Sequence, residues 1–394
     1  MCKRGALADK KTMKTGIRYI LITIMAFVLP GALASAQDST DMMPVTAVSD
    51  TVSGTAAPVH GTGDTEQEES VDVQGIIFGH INDSYEWHIT DIGDKPVAIP
   101  LPVILHSKTT GWHCFLSSRI AHGHEYKGFY ISTSKKHEGK IVERDASGEE
   151  IRPFDISITK NVLSLIISGA LLIVLILGSA RWYKRHDVLK EAPKGVAALL
   201  EPVIEMINDD VIKDAVGPNY AKYSPYLLTA FFFILINNLL GIIPIFPGGA
   251  NVTGNIAVTF VLALCTFLAV NLTTNGHYWR DIFWPDAPMW IKPILIPIEM
   301  FGMFTKPLSL MIRLFANIMA GHALILCIVS MIFITVRMGA VIGGSMTVVS
   351  VGFGIFMDCF EILVAFIQAY VFTILSAVFI GLAQERPHAE KQGN

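Results

Sequence analysis

Residues 156–394 alternate apolar runs with short polar breaks. The first run, Asn161 to Ala180, is unbroken, and at about 1.5 Å per residue it is long enough for a bilayer core of about 30 Å. A second runs from Tyr226 to Pro244, opened by Ser224-Pro225 and closed by Gly241-Ile242-Ile243-Pro244. Asn237 and Asn238 fall inside it, and such groups are expected to bond to neighbouring helices. Ile256 to Leu272 predicts a third crossing. Trp290 to Ile334 is then apolar for about 45 residues, about twice what a bilayer needs, so that helix has to tilt, bend or lie partly in the plane. Met346 to Leu382 predicts the last crossing. Val196 to Val216 mixes Leu199, Leu200, Val203, Ile204, Ile207 and Val211 with Glu201, Glu205, Asp209 and Asp210, the pattern of an amphipathic helix lying at the interface. A helix in a soluble core is the alternative there. The pattern predicts an all-α polytopic membrane protein with about five membrane-crossing helices, here assigned to residues 156–394.

Ahead of this domain the period changes. Residues 1–36 carry Lys3, Arg4, Lys10, Lys11, Lys14 and Arg18, an apolar core from Ile20 to Leu33, and Ala34-Ser35-Ala36, the order of a secretory signal peptide. An uncleaved anchor helix is the alternative. Residues 37–73 are rich in Ser, Thr, Gly and acid and have too few bulky apolar groups to offset the entropy of ordering, which predicts a disordered acidic linker. Over residues 74–155, β-branched and alternating runs such as Gln74 to Gly79, Tyr85 to Ile89 and Tyr130 to Thr133 are broken by Gly, Asp and Pro, predicting a small β-rich periplasmic accessory domain. His122 and His124 stand two apart without a carboxylate or cysteine at a recognised ligand spacing, so no metal is expected.

Charge supplies the orientation. Arg181, Lys184, Arg185, Lys190 and Lys194 follow the first crossing, and His277, Arg280 and Lys292 follow the third. By the positive-inside rule both ends are cytoplasmic, which agrees with an exported N-terminus and leaves Arg386 and Lys391 inside. With 52% hydrophobic and 16% charged residues and a mean hydropathy of +0.48, the chain is far more apolar than a soluble protein of its length. A formal net charge of -4 argues against nucleic acid as a partner. Of the five cysteines, Cys265, Cys327 and Cys359 lie in apolar runs, Cys2 lies in the leader and Cys114 stands alone, so no intrachain disulfide is expected in the soluble part.

One residue breaks the apolar pattern at a high cost. Arg313 lies between Leu308 to Ile312 and Leu314 to Ile334, far from any interface to which it can snorkel. An arginine at the centre of a membrane helix costs about 2.5 to 3.5 kcal/mol on insertion scales. Ser309, Arg313 and Asn317 are spaced by four, one polar stripe on an apolar helix, and Glu299 falls within about 40° of Arg313 in projection. Glu361 and Gln368, seven apart, share a face of the last helix. His322, nine residues after Arg313, projects about 180° away. A structural ion pair of Arg313 with Glu299 is the plain alternative to a functional arginine.

Lys306-Pro307-Leu308-Ser309, Arg313-Leu314-Phe315-Ala316-Asn317 and Ala320-Gly321-His322 resemble the signature of subunit a of the F-type ATP synthase, the membrane stator beside the rotating c-ring. The likeness continues through Glu361, Gln368 and Ala369 and more loosely back to Pro225, while the first 155 residues do not carry it. It implies two long, tilted C-terminal helices along the ring and a non-catalytic, proton-translocating role with two aqueous half-channels and no cofactor. The implied partners are the c-ring subunits, the peripheral-stalk b subunits, the remaining synthase subunits and the lipid of a cell inner membrane. Arg313 is then the essential group facing the ring carboxylate, because a guanidinium keeps its proton and holds a passing carboxylate ionised. His322 and Glu361 suit proton delivery, an imidazole exchanging its proton near neutral pH. Gln368 and Asn317 join the inlet by resemblance, and Glu299 and Ser309 the cytoplasmic exit. Some family members carry the acid on the first long helix and the histidine on the second; the order here is the reverse, and a swap across a contacting pair keeps the chemistry.

Two other classes fare worse. A secondary transporter predicts related halves with interrupted helices, and the chain shows no internal repeat. An intramembrane hydrolase predicts a nucleophile or an H-E-x-x-H motif, which the chain lacks. It also lacks a G-x-x-x-x-G-K-[ST] loop, so any nucleotide chemistry belongs to another subunit.

Overall fold

The computed structural model describes residues 83–384 apart from 93–94, 135–136, 138, 146–147, 187–190, 244–245, 275, 286 and 337–338. The expected signal peptide (1–36), acidic linker (37–73), Gln74 to Gly79 run and C-terminal Arg386 and Lys391 lie outside the described residues. Contacts divide the described chain into two compact units, 161–321 with 358–384, and 83–160 with 322–357.

In the first unit, α1 (Lys160–Arg185) is an apolar run that closes on Lys184 and Arg185, cations that suit the carbonyl end of a helix. The amphipathic segment forms as three pieces: α2 (Val196–Glu205), a π-helical stretch (Met206–Ile212) and α3 (Lys213–Val216). The wider π turns shift the register of the stripe. Ala197, Ile207, Val211, Ile212 and Val216 are buried, while Leu199, expected on the apolar face, is 72% exposed.

The second crossing starts earlier than Ser224-Pro225. Helix α4 (Tyr220–Ile242) contains Pro225, and the break lies at the short turn Gly217–Asn219, where Gly217 has φ +76°. Pro225 forfeits one backbone bond in the second turn of the helix. Helix α5 (Ile256–Thr273) is capped by Asn255, whose side chain accepts from Ala257 N at 2.9 Å. After α6 (Gly276–Phe283) come two 45-residue helices, α7 (Lys292–Val336) and α8 (Ala340–Gln384). Among the described residues, four helical stretches are long and apolar enough to cross a membrane, 160–185, 196–242, 292–335 and 341–384. The third of the five expected crossings is a shorter apolar helix, Ile256–Leu272.

Small residues let α8 pack closely. Ala365, Ala369, Thr373, Ser376 and Ala377 are fully buried, three to four residues apart, on one face. Against that face, Phe366 meets Phe231 of α4 edge-on at 5.8 Å, and Ser376 lies 3.5 Å from Thr266 of α5. Thr274, just past α5, donates to Ala383 O at 2.7 Å. This packing holds the C-terminal half of α8 against α4 and α5.

In the second unit, β1 (Glu86–Ile92) pairs with β2 (Lys95–Pro100). Strands β3 (Pro102–Ser107), β4 (Gly111–Leu116) and β8 (Phe154–Asp155) form one antiparallel sheet in the order β4-β3-β8. Strands β5 (Phe129–Ile131), β6 (Ile141–Arg144) and β7 (Glu150–Ile151) form another. The runs at Tyr85 and Tyr130 thus fall in or beside β1 and β5. Val103, Leu105, Phe115, Ile120, Phe129 and Ile141 make the core. The ends of this region are tied together where it reaches α1: Tyr85 donates to Asp155 Oδ2 at 2.5 Å, and Lys160 N to Ser84 O at 2.9 Å. Burial first, and the Asp155 carboxylate second, raise the Tyr85 phenol well above its usual range.

Candidate functional site

Helix α7 has two contrasting faces within the first unit. Leu310, Met311, Leu314 and Ile318 are buried at 6% exposure or less. Leu308, Ser309, Ile312, Arg313, Ala316 and Asn317 lie exposed on the other side. The polar stripe Ser309–Arg313–Asn317 is therefore on the open face, flanked by Leu308 and Ile312. A shallow depression of about 350 Å³ lies there, lined by Thr305, Leu308, Ser309, Ile312 and Arg313. Glu299 is also exposed. Fourteen residues along an unbroken helix place it about 21 Å from Arg313 along the axis, so the structural ion pair weighed above is out of reach.

The stripe connects to α8 at Asn317, whose Nδ2 donates to Gln368 Oε1 at 2.7 Å. Gln368 is 3% exposed and Glu361, two turns away on α8, is 5% exposed. Glu361 lies against Gly321 of α7: a Cβ at position 321 would stand 3.0 Å from Glu361 Oε1. The two contacts run in opposite senses along α7 and α8, as in an antiparallel pair. Glycine at 321 thus leaves room for the carboxyl group. His322, the next residue, is half-buried, and Asp358 is exposed. Arg313, Asn317, Gln368 and Glu361 consequently belong to one helix pair, with the cation on the outside and the carboxyl group inside.

Between Glu361 and Gln368 the backbone of α8 meets a third polar element. Asn238 of α4 donates from Nδ2 to Ala365 O at 3.4 Å and accepts from Thr253 Oγ1 at 2.7 Å. Asn251 Oδ1 in the same loop accepts from Gly254 N at 2.9 Å, and Asn238, Asn251 and Thr253 are all buried. The expected bond to a neighbouring helix is made by Asn238. Asn237 instead donates to Phe233 O of its own helix at 2.8 Å, because its position one residue earlier turns it away from α8. The Thr253 contribution carried no signal in the sequence beyond a polar loop. Lys306 of the Lys306–Ser309 run sits with Nζ 5.8 Å from the centre of the Phe379 ring on α8.

A family model described as ATP synthase A chain matches residues 162–381, more than half of the chain. The chain belongs to the ATP synthase A chain family. This is the F-type subunit a family that the residues around Arg313 resemble. ATP synthase subunit a of Chloroherpeton thalassium is 42% identical over 240 residues, 59% of this chain and 68% of the relative. That of Chlorobium phaeobacteroides strain DSM 266 is 46% identical over 270 residues, 65% of this chain and 75% of the relative. ATP synthase subunit a 2 of Prosthecochloris aestuarii is 41% identical over 286 residues, 69% and 84% of the two chains. A second family model, described as a domain of unknown function, matches residues 76–160, which contain every described strand.

Proposed function

We propose that the chain is the proton-conducting stator subunit of the membrane sector of an F-type ATP synthase, non-catalytic itself, forming two half-channels against the c-ring so that proton flow drives rotation. The observation that carries this reading is the stripe Ser309–Arg313–Asn317 on the open face of α7, backed through Gln368 by the buried Glu361. A permanent cation on an apolar, exposed helix face suits a mobile carboxylate on a neighbouring rotor better than a partner in its own chain. In this reading Arg313 holds each passing ring carboxylate ionised and blocks a direct leak between the half-channels. His322, Glu361, Gln368 and Asn317 bring protons in, and Ser309 and Glu299 line the exit.

Each proton crossing 100 mV supplies about 2.3 kcal/mol, so several are needed per nucleotide and a rotor that accumulates steps is the fitting partner. The peripheral-stalk b subunits and the other synthase subunits complete the assembly. The cell inner membrane is the location this reading assigns, with the β-rich region periplasmic and the C-terminus cytoplasmic. The test is Arg313→Ala, with ATP-driven proton pumping measured in membrane vesicles of the assembled complex. Pumping is expected to vanish; retained pumping overturns the role of Arg313.

A further inference from the structure

The β4-β3-β8 sheet is apolar on both faces. Its inner face supplies Val103 and Leu105, each 0% exposed, and Phe115 to the core. The outer residues of β4 are Trp112, 63% exposed, Cys114 and Leu116, 50% exposed. Directly opposite them on β3 stand His106, Ile104 and Pro102, and Phe154 of β8, 47% exposed, pairs with His106. The pairing continues past β8, since Ile156 N donates to Ile104 O at 3.0 Å and Ile158 N to Pro102 O at 3.1 Å. Strand alternation puts Ile156 and Ile158 on the outer face as well. Among the described residues, no outward position within β3, β4 or β8 is charged, whereas an antiparallel sheet with one core face ordinarily turns polar residues outward.

Chain continuity says what lies nearby. Ile158 stands two residues before Lys160, the first residue of α1, so at most about 7 Å of extended chain separates them. The row Ile158–Pro102–Leu116 therefore begins where a membrane span begins. The Trp112–His106–Phe154 row is four residues further along β3, about 13 Å. His106 meets the Trp112 ring edge-on at 4.8 Å, so the indole belongs to the sheet surface. Tryptophan favours the headgroup level of a bilayer, where its ring is partly buried and its N–H still finds polar partners.

We propose that this outer face rests on the lipid leaflet from which α1 starts, with Trp112, Leu116 and Phe154 inserted at the boundary between headgroups and acyl chains. The sheet would then fix the tilt of the β-rich region against the membrane, on whichever side that leaflet lies, independently of proton conduction.

The test uses the full chain with Cys2, Cys265, Cys327 and Cys359 replaced by serine or alanine, a nitroxide label on Cys114, and reconstitution in phosphatidylcholine–phosphatidylglycerol vesicles. Relaxation of the label by oxygen, which partitions into lipid, is compared with relaxation by a water-soluble nickel chelate. A second chain carries the label at Glu149→Cys in the exposed β6–β7 turn, with Cys114→Ser. Oxygen is expected to dominate at 114 and nickel at 149. Nickel dominating at 114 overturns the proposal, since the face is then in water. Low access to both reagents at 114 also overturns it, since protein then covers the face. Adding Trp112→Ser and Leu116→Ser to the Cys114-labelled chain is expected to move the label towards nickel, and an unchanged balance counts against insertion through these side chains.

Discussion

Asn317 Nδ2 and Gln368 Oε1 stand 2.7 Å apart, joining the exposed stripe of α7 to the buried polar side of α8. The bond matters because Gln368 is only 3% exposed, and a buried acceptor that loses its donor costs about 1 to 3 kcal/mol. Asn317→Leu is therefore expected to destabilise the α7–α8 contact by about that amount and to slow proton pumping. Gln368→Leu is expected to do the same. Because the two side chains act through one bond, the double variant should cost less than the two single effects added, with an interaction of about 0.5 to 3 kcal/mol. Thermal unfolding of the four proteins measures this. Strict additivity would show that the contact carries no coupling.

Gly321 leaves the space that Glu361 fills. An alanine Cβ there would lie 3.0 Å from Glu361 Oε1, so the carboxyl group must shift by a few tenths of an ångström. A misplacement of 1 Å at a reacting group costs about a hundredfold, and the smaller shift here is expected to slow pumping about tenfold. Glu361→Asp withdraws the carboxyl group by one methylene and should restore part of the rate when combined with Gly321→Ala. Initial rates of ATP-driven acidification in vesicles give the comparison. A combination slower than either single variant speaks against steric crowding as the cause.

The apolar runs located the long helices because a membrane span is set by length and composition, and α7 and α8 begin and end within a few residues of the apolar stretches, apart from the start of α8. Local features that depend on neighbours were not legible. Pro225 read as a helix opener, since a proline is ordinarily tolerated only in the first turn, yet the break falls at Gly217–Asn219. Leu199 is exposed although the pattern puts it on the apolar side, and the alternation of apolar and acidic residues carries no mark of the i to i+5 bonding that follows α2. At the site, Ser309, Arg313 and Asn317 share the open face that their spacing of four predicts. The angular nearness of Glu299 left an ion pair open as an alternative, because projection down a helix ignores the rise along it. Gly321 belonged to the quoted signature, but its steric reason emerges only when Glu361, forty residues later, is brought against it.

Glu150 gives the β-rich region an acid limit. Its carboxylate accepts from Ser134 at 2.6 Å, Ser132 at 2.8 Å and Tyr130 at 3.0 Å. The Ser134 bond first, then that of Ser132, hold it below the usual glutamate range against a smaller opposing effect of desolvation. A carboxyl group depressed on folding contributes stability above its unfolded value of about 4.3, and that contribution is lost as pH falls through the lower folded value. Amide hydrogen exchange of β5 to β7 is thus expected to accelerate below about pH 4.3, relative to β3 and β4. Glu150→Gln should flatten that dependence. An equal acid response in the variant would place the sensitive group elsewhere.

Gly381 brings the backbone of α8 close against that of Ala215. A Cβ at that position would stand 2.0 Å from the Ala215 carbonyl oxygen and 3.0 Å from its carbon, and neither atom can swing aside as a side-chain tip does. Gly381→Ala is therefore expected to push α8 away from α3 at a cost of at least about 1 to 3 kcal/mol, lowering the unfolding midpoint of the purified chain. Gly352→Ala is the matched control on the same helix, since its Cβ would meet nothing within 4 Å. There the gain in helix propensity, about 1 kcal/mol, should leave stability unchanged or raised. Opposite signs for two identical substitutions on one helix would isolate the close approach to Ala215 as the cause, whereas a common sign would assign the effect to glycine's backbone freedom alone.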